Sequence, residues 1–107
     1  MPGSQGSGNE DNGWGDPTTL TRHYNDHGAA VGATSEEDYA RKAQELLQQA
    51  LRGKLPTKVD VAGVTRVYDP INKLFGAYNA DGTTRTFFRM SNIRYWNNQP
   101  GTLIGGP

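Results

Sequence analysis

The sequence predicts an α+β domain in which two N-terminal helices pack on a four-stranded antiparallel meander. Apolar residues recur at helical spacing between Tyr39 and Leu51, which marks one amphipathic helix. After Pro56 the period changes from helical to alternating, the signature of strands. Asp81-Gly82, a strong hairpin-turn signal, then stands between two of the alternating runs.

The first helix is expected over 18–27. Asp16 can cap its N-terminus, and Pro17 suits the first helical position, where a missing N–H leaves no bond unmade. Gly28 is expected to end it in the left-handed conformation. Leu20, Tyr24 and His27 share one stripe of this helix, with His23 beside them. For the second helix, Thr34 and Glu37 fit a capping box, and Glu36, Glu37 and Asp38 place negative charge in the first turn. Tyr39, Ala43, Leu46, Leu47, Ala50 and Leu51 form its apolar face; Gly53 closes it and Pro56 prevents a restart.

Strands over 58–61 and 64–68 flank an Ala62-Gly63 turn, and Asp69-Pro70 breaks the pattern. A second hairpin pairs 74–79 with 83–89. With a two-residue loop at Asp81-Gly82, Asn79 opposes Thr84, Ala77 opposes Thr86 and Phe75 opposes Phe88, so these six side chains share one face. Leu74, Tyr78, Arg85, Phe87 and Arg89 fall on the other. Tyr95-Trp96 is expected to pack back over the sheet or the first helix.

Composition places the domain at 16–98. Residues 1–15 are Gly, Ser, Asn and acid, with Trp14 the one large apolar group, and read as a flexible linker or expression remnant. Residues 99–107 are turn-rich and read as a loose tail. No basic start precedes an apolar run near Met1, so no signal peptide is expected, and no stretch is apolar enough to span a bilayer. The absence of cysteine excludes disulfides, thiolate nucleophiles and a thiolate zinc site.

Charge is balanced overall but unevenly placed. From Arg52 onward eight Lys and Arg face only Asp60, Asp69 and Asp81, an excess of five positive charges, and the preceding half is acidic by as much. A locally basic sheet suits a polyanion such as RNA; a solvated, mixed-charge surface is the alternative.

His23 and His27 are the only histidines, four residues apart on the first helix. The spacing matches a metalloprotease helix, but the Glu next to the first His is missing (Tyr24 and Asn25 follow) and no third ligand is evident, so no metal is expected. Acid–base work fits better, because imidazole is matched to proton transfer near neutral pH. A structural role as a helix C-terminal cation is the alternative. Metal-free RNA cleavage needs a base for the ribose 2′-OH, donors and cations for the phosphorane, and an acid for the leaving oxygen; it needs no cofactor. His23, His27, Arg66, Tyr68, Tyr78, Thr84, Arg85, Thr86 and Arg89 supply that inventory, and Phe87, Phe88, Tyr95 and Trp96 are candidates for stacking on unpaired bases.

Three segments (LTRHYNDHGAAVGATSEEDYARKAQELL, RVYDPINKLFGAYNADGTTRTFFR and YWNNQPG) together resemble the C-terminal toxin domains of contact-dependent growth inhibition and related polymorphic toxin systems. Those domains carry a His-x-x-x-His-Gly segment, an acid-rich helix start before Tyr, and a Thr-x-Phe strand after Asp-Gly. Within the barnase/EndoU/colicin/RelE-like group, the chain resembles colicin D-type tRNA nucleases. The resemblance implies a metal-independent endoribonuclease that cuts tRNA, in the anticodon loop, leaving a 2′,3′-cyclic phosphate and a 5′-OH. It implies His27 as general acid/base, His23 as second acid/base or helix anchor, Thr86 as phosphate donor and Phe88 as a wall of the site. Asp26 stands where the colicin D-like pattern has lysine and cancels nearby positive charge; Arg22, Arg66 or Arg85 would then clamp the phosphate. The resemblance further implies a monomeric effector, secreted or delivered from a cell surface, that acts in the target-cell cytoplasm, with a cognate immunity protein and, as in some relatives, a host activator such as an elongation factor. A non-catalytic binding module is the competing expectation. An NAD-consuming enzyme is a third, and the chain lacks a dinucleotide-type Gly-rich fingerprint.

Overall fold

A computed structural model describes residues 12–104 of the chain. Helix α1 (Pro17–His27) leads through a 3-10 turn (Ala29–Val31) into α2 (Glu36–Leu51). Strands β1 (Thr57–Val59), β2 (Thr65–Asp69), β3 (Leu74–Tyr78) and β4 (Thr84–Arg89) follow, then a short α3 (Ile93–Asn97) and β5 (Thr102–Ile104). The fold is α+β as expected, but the antiparallel sheet has five strands, in the order β4-β3-β2-β1-β5.

The fifth strand comes from the segment expected to be a loose tail. Lys58 Nζ donates to the carbonyls of Trp96 and Gln99, at 2.9 and 3.0 Å, and lies 4.7 Å above the Trp96 ring. That anchor turns the chain back along β1, where Val59 pairs with Thr102 and Thr57 with Ile104. Gly101 makes the approach feasible: its φ is +122°, and a Cβ there would stand 3.0 Å from the Val59 backbone.

Each face of the sheet has its own core. Tyr39, Ala43, Leu46, Leu47 and Ala50 of α2 pack with Leu20 of α1 against Val67, Tyr78 and Phe87. Two buried phenols tie helix to sheet: Tyr78 donates to the Ala43 carbonyl at 2.6 Å and Tyr39 to the Phe87 carbonyl. Burial pushes both phenols far above the usual tyrosine range, so both remain neutral donors. The opposite face carries Tyr68, Phe75, Ala77, Met90 and Trp96, with Phe88 packed against them. Trp96 of α3 thus covers the sheet rather than the first helix.

Three local expectations are corrected. Ser35, not Thr34, caps α2: its side chain accepts from the Asp38 amide, and the Asp38 carboxylate accepts from the amide of Thr34, the residue before the cap, at 3.0 Å, in place of the expected Thr34–Glu37 box. Gly28 is right-handed (φ −59°), and the left-handed residue is Gly32 (φ +78°), after the chain has run on through the 3-10 turn. Gly28 is needed for space, since a Cβ there would meet the Tyr24 ring at 2.5 Å. Trp14, expected in a linker, is buried in the helix-side core at 4 % exposure. Gly13 accepts from the Thr84 amide at 2.6 Å, and Gly15 donates to the Thr84 carbonyl at 2.8 Å, so the strap 13–15 borders the edge strand β4. The rest of the expected linker, residues 1–11, lies outside the described residues.

An alanine at a right-handed helical glycine ordinarily stabilises, by about 0.4–1 kcal/mol. Gly28→Ala is expected to reverse that sign and destabilise by about 1–3 kcal/mol, because the Tyr24 ring must move. Urea unfolding of the two proteins checks the sign.

Candidate functional site

The site forms where α1 crosses the β4 edge, and a bulge in that edge decides which side chains reach it. Ala77 opposes Thr86 and Phe75 opposes Phe88 as expected, but Thr84 opposes Tyr78 rather than Asn79. The reason is the loop. Among the described residues Lys73 is the only non-glycine with positive φ, so Asp81 is not left-handed and the expected two-residue turn cannot form. Instead Asn79 donates to the Thr83 carbonyl and Gly82 to the Asn79 carbonyl, both at 2.8 Å, closing a three-residue loop over 80–82. The register then shifts between Ala77 and Tyr78, leaving Arg85 as the extra residue on β4.

The bulge separates two threonines that regular alternation would place together. Thr84 turns under α2, fully buried, and its Oγ1 accepts from Gln44 Nε2 at 2.9 Å. Thr86 stays on the opposite face, partly buried, with its Oγ1 3.5 Å from His23 Nδ1. His27, one turn further along α1, lies 5.5 Å from the Phe88 ring and 6.0 Å from the His23 ring. Phe88 in turn meets Phe75 and the half-exposed Tyr95, both at 5.3 Å. His23, His27, Thr86 and Phe88 are therefore brought together.

The remaining expected site residues are distributed differently. Tyr78 and Thr84 are buried on the helix side and bonded there, out of reach of the histidines. Tyr68 is buried against Trp96. Arg66 shares the face of Thr86, through the Ala77 pairing, but is ion-paired to Asp60 at 2.8 Å. Arg85 and Arg89 are exposed on β4, and neither is in an ion pair among the described residues. Arg89 also borders a cleft of about 420 Å³ lined by Lys42, Glu45 and Asp69; that cleft contains neither histidine and opens on the helix side. Among the described residues no group of three His, Asp or Glu could hold a metal ion.

Sequence reasoning missed Trp14, whose ring centroid lies 5.2 Å from that of His23. Its one signal was a lone large apolar group in a Gly- and Asn-rich segment. Partial burial lowers the His23 pKa, and the Arg22 cation and then His27 act in the same direction; Asp26 opposes them. His23 is thus predominantly neutral near pH 7, with Nδ1 toward the Thr86 hydroxyl. Two imidazoles, a hydroxyl and an aromatic wall on one edge can accept a proton, donate one and hold a flat group. No protein-family model and no curated protein matches the chain.

The lowered His23 pKa sets a sign for stability. The unfolded chain binds the His23 proton more readily, so stability present above about pH 6.5 is lost as pH falls through the folded-state value. The depressed carboxylates of Asp16, Asp38, Asp60 and Asp81 act in a separate window, below about pH 3.8. Urea midpoints measured from pH 7.5 to pH 5 are expected to fall in the wild type and to fall less in His23→Asn.

Proposed function

We propose that this domain is a metal-independent endoribonuclease, the toxic tip of a bacterial polymorphic toxin, with tRNA as its substrate. The observation that supports the reading most is the convergence of His23 and His27 on Thr86 and Phe88 at one sheet edge, residues from two of the motifs that carry the toxin-domain resemblance. The two histidines of α1 supply an acid–base pair, and β4 supplies a hydroxyl donor and an aromatic wall beside it.

In this mechanism neutral His23 removes the proton from a ribose 2′-OH, and the freed oxygen attacks the adjacent phosphorus. The P–O5′ bond breaks, and His27 gives its proton to the departing O5′. The products are a 2′,3′-cyclic phosphate and a 5′-OH, with no net change in protons or electrons. The Thr86 hydroxyl donates to a non-bridging oxygen, and exposed Arg85 offsets the charge that gathers on the phosphorane. Phe88 and Tyr95 give an unpaired base an apolar face, which favours a loop such as the anticodon loop over a duplex. The cognate immunity protein would cover this edge with carboxylates complementary to Arg85 and Arg89.

Small RNA from cells briefly expressing the domain, run on a denaturing gel, tests the reading. Discrete tRNA fragments are expected with the wild type and none with His27→Ala, and the cleavage persists in a chelator-treated extract. Thr86→Val is expected to slow cleavage by about 10–100-fold while the protein remains folded. Intact tRNA from folded wild-type protein, in an extract that retains the elongation factors, contradicts the proposal and favours a binding module.

A further inference from the structure

From the strap 13–15 we infer that Trp14 is a positioning residue of the histidine site, so that the chain ahead of α1 is part of the catalytic apparatus. The indole is fixed on several sides. Its Nε1 donates to Thr19 Oγ1 at 3.0 Å, and Thr19 donates on to the Asp16 carbonyl at 2.9 Å, which locks the ring to the first turn of α1. The Trp14 amide donates to Asn12 Oδ1 at 2.8 Å, and the ring packs 5.5 Å from Tyr39. His23 then lies against the indole on one side and Thr86 on another.

The same strap holds the other half of that contact. Both backbone groups of Thr84 are bonded by the strap, through Gly13 and Gly15, at the residue where the β4 bulge begins. Two residues later Thr86 faces His23. The glycines permit this close approach: a Cβ at Gly13 would meet Gln44 at 2.6 Å, and one at Gly15 would meet Asn79 at 2.7 Å. Trp14 therefore sets the imidazole, and its neighbours set the strand that carries the hydroxyl. Removing the indole frees the His23 ring to turn from Thr86 and admits water. Among the described residues, the charged or titratable groups that act on His23 are Arg22, Asp26 and His27 of α1; Trp14 and Thr86 bring no charge.

The consequence for catalysis rests on the ribonuclease reading, whereas the placement of His23 does not. The test is accordingly made first on the free protein, by NMR titration of the histidine rings in the wild type, Trp14→Leu and Trp14→Phe. In Trp14→Leu the His23 midpoint is expected to rise toward the ordinary imidazole value, and its ring protons to lose the indole ring-current shift. Trp14→Phe, which keeps an aromatic cover, is expected to move the midpoint about half as far, an order-of-magnitude division of the desolvation effect. On an RNA substrate, Trp14→Leu is expected to lower kcat by roughly tenfold or more with KM within about twofold, and to shift the acidic limb of the rate profile with the His23 midpoint. A wild-type His23 titration in folded Trp14→Leu, or in Trp14→Phe should the leucine variant not fold, overturns the inference. A shifted midpoint in a protein that cuts no RNA overturns the ribonuclease reading alone.

Discussion

Strand β4 has to fill two cores with adjacent residues, and that demand organises the molecule around it. Phe87 enters the helix-side core and Phe88 the aromatic core on the opposite face. Thr84 must also turn to the helix side, three residues before Phe87, which strict alternation forbids. The extra residue at Arg85 resolves the conflict. One side-chain amide then secures the arrangement: Gln44 Nε2 lies within 3.3 Å of the Gly13 carbonyl, the Gly82 carbonyl and Thr84 Oγ1. Strap, hairpin loop and bulge are thereby fastened to the same point of α2.

The bulge turns Thr84 away and leaves Thr86 on the face of Phe88, at the sheet edge. There α1 need only lie along the same edge to bring two imidazoles to it. Thr21 helps to fix α1 there by donating to the Glu36 carboxylate at 3.0 Å, at the start of α2. The basic half of the chain is not one uniform phosphate surface. Lys58 holds the turn into β5, and Arg66 is paired with Asp60, so those two charges are committed to the structure. Arg85 and Arg89 remain exposed on the strand that carries Thr86 and Phe88.

Those parts of the fold with strong local signals were legible in the sequence. The apolar stripe of α2 and the change of period after Pro56 follow from residue spacing. The pairing of Ala77 with Thr86 and Phe75 with Phe88 holds although the two-residue turn it was read from does not form, because the extra residue at Arg85 offsets the longer loop. The missed parts depend on contacts between distant segments. Gly28 looks like a helix terminator until the Tyr24 ring above it is known. Trp14 looks like a linker residue until Thr84 offers the strap its backbone groups. The β5 strand has three exposed residues and no pattern of its own; it forms because Lys58 holds the preceding turn. For the site, the sequence carried the four residues that meet, while Tyr78 and Thr84 were drawn in by residue type; alternation set them on opposite faces, and the bulge puts both on the helix side.

The proposed function requires RNA to be engaged at the α1–β4 edge. Amide and side-chain methyl chemical shifts of labelled protein, followed during titration with a single-stranded oligonucleotide whose 2′-hydroxyls are replaced by hydrogen so that it cannot be cut, test this most directly. Saturable shifts centred on His23, His27, Thr86, Phe88 and Tyr95, weakening as salt rises, are expected. Shifts centred instead on the helix-side cleft around Lys42 and Asp69, or no saturable shifts at low salt, would contradict the proposal.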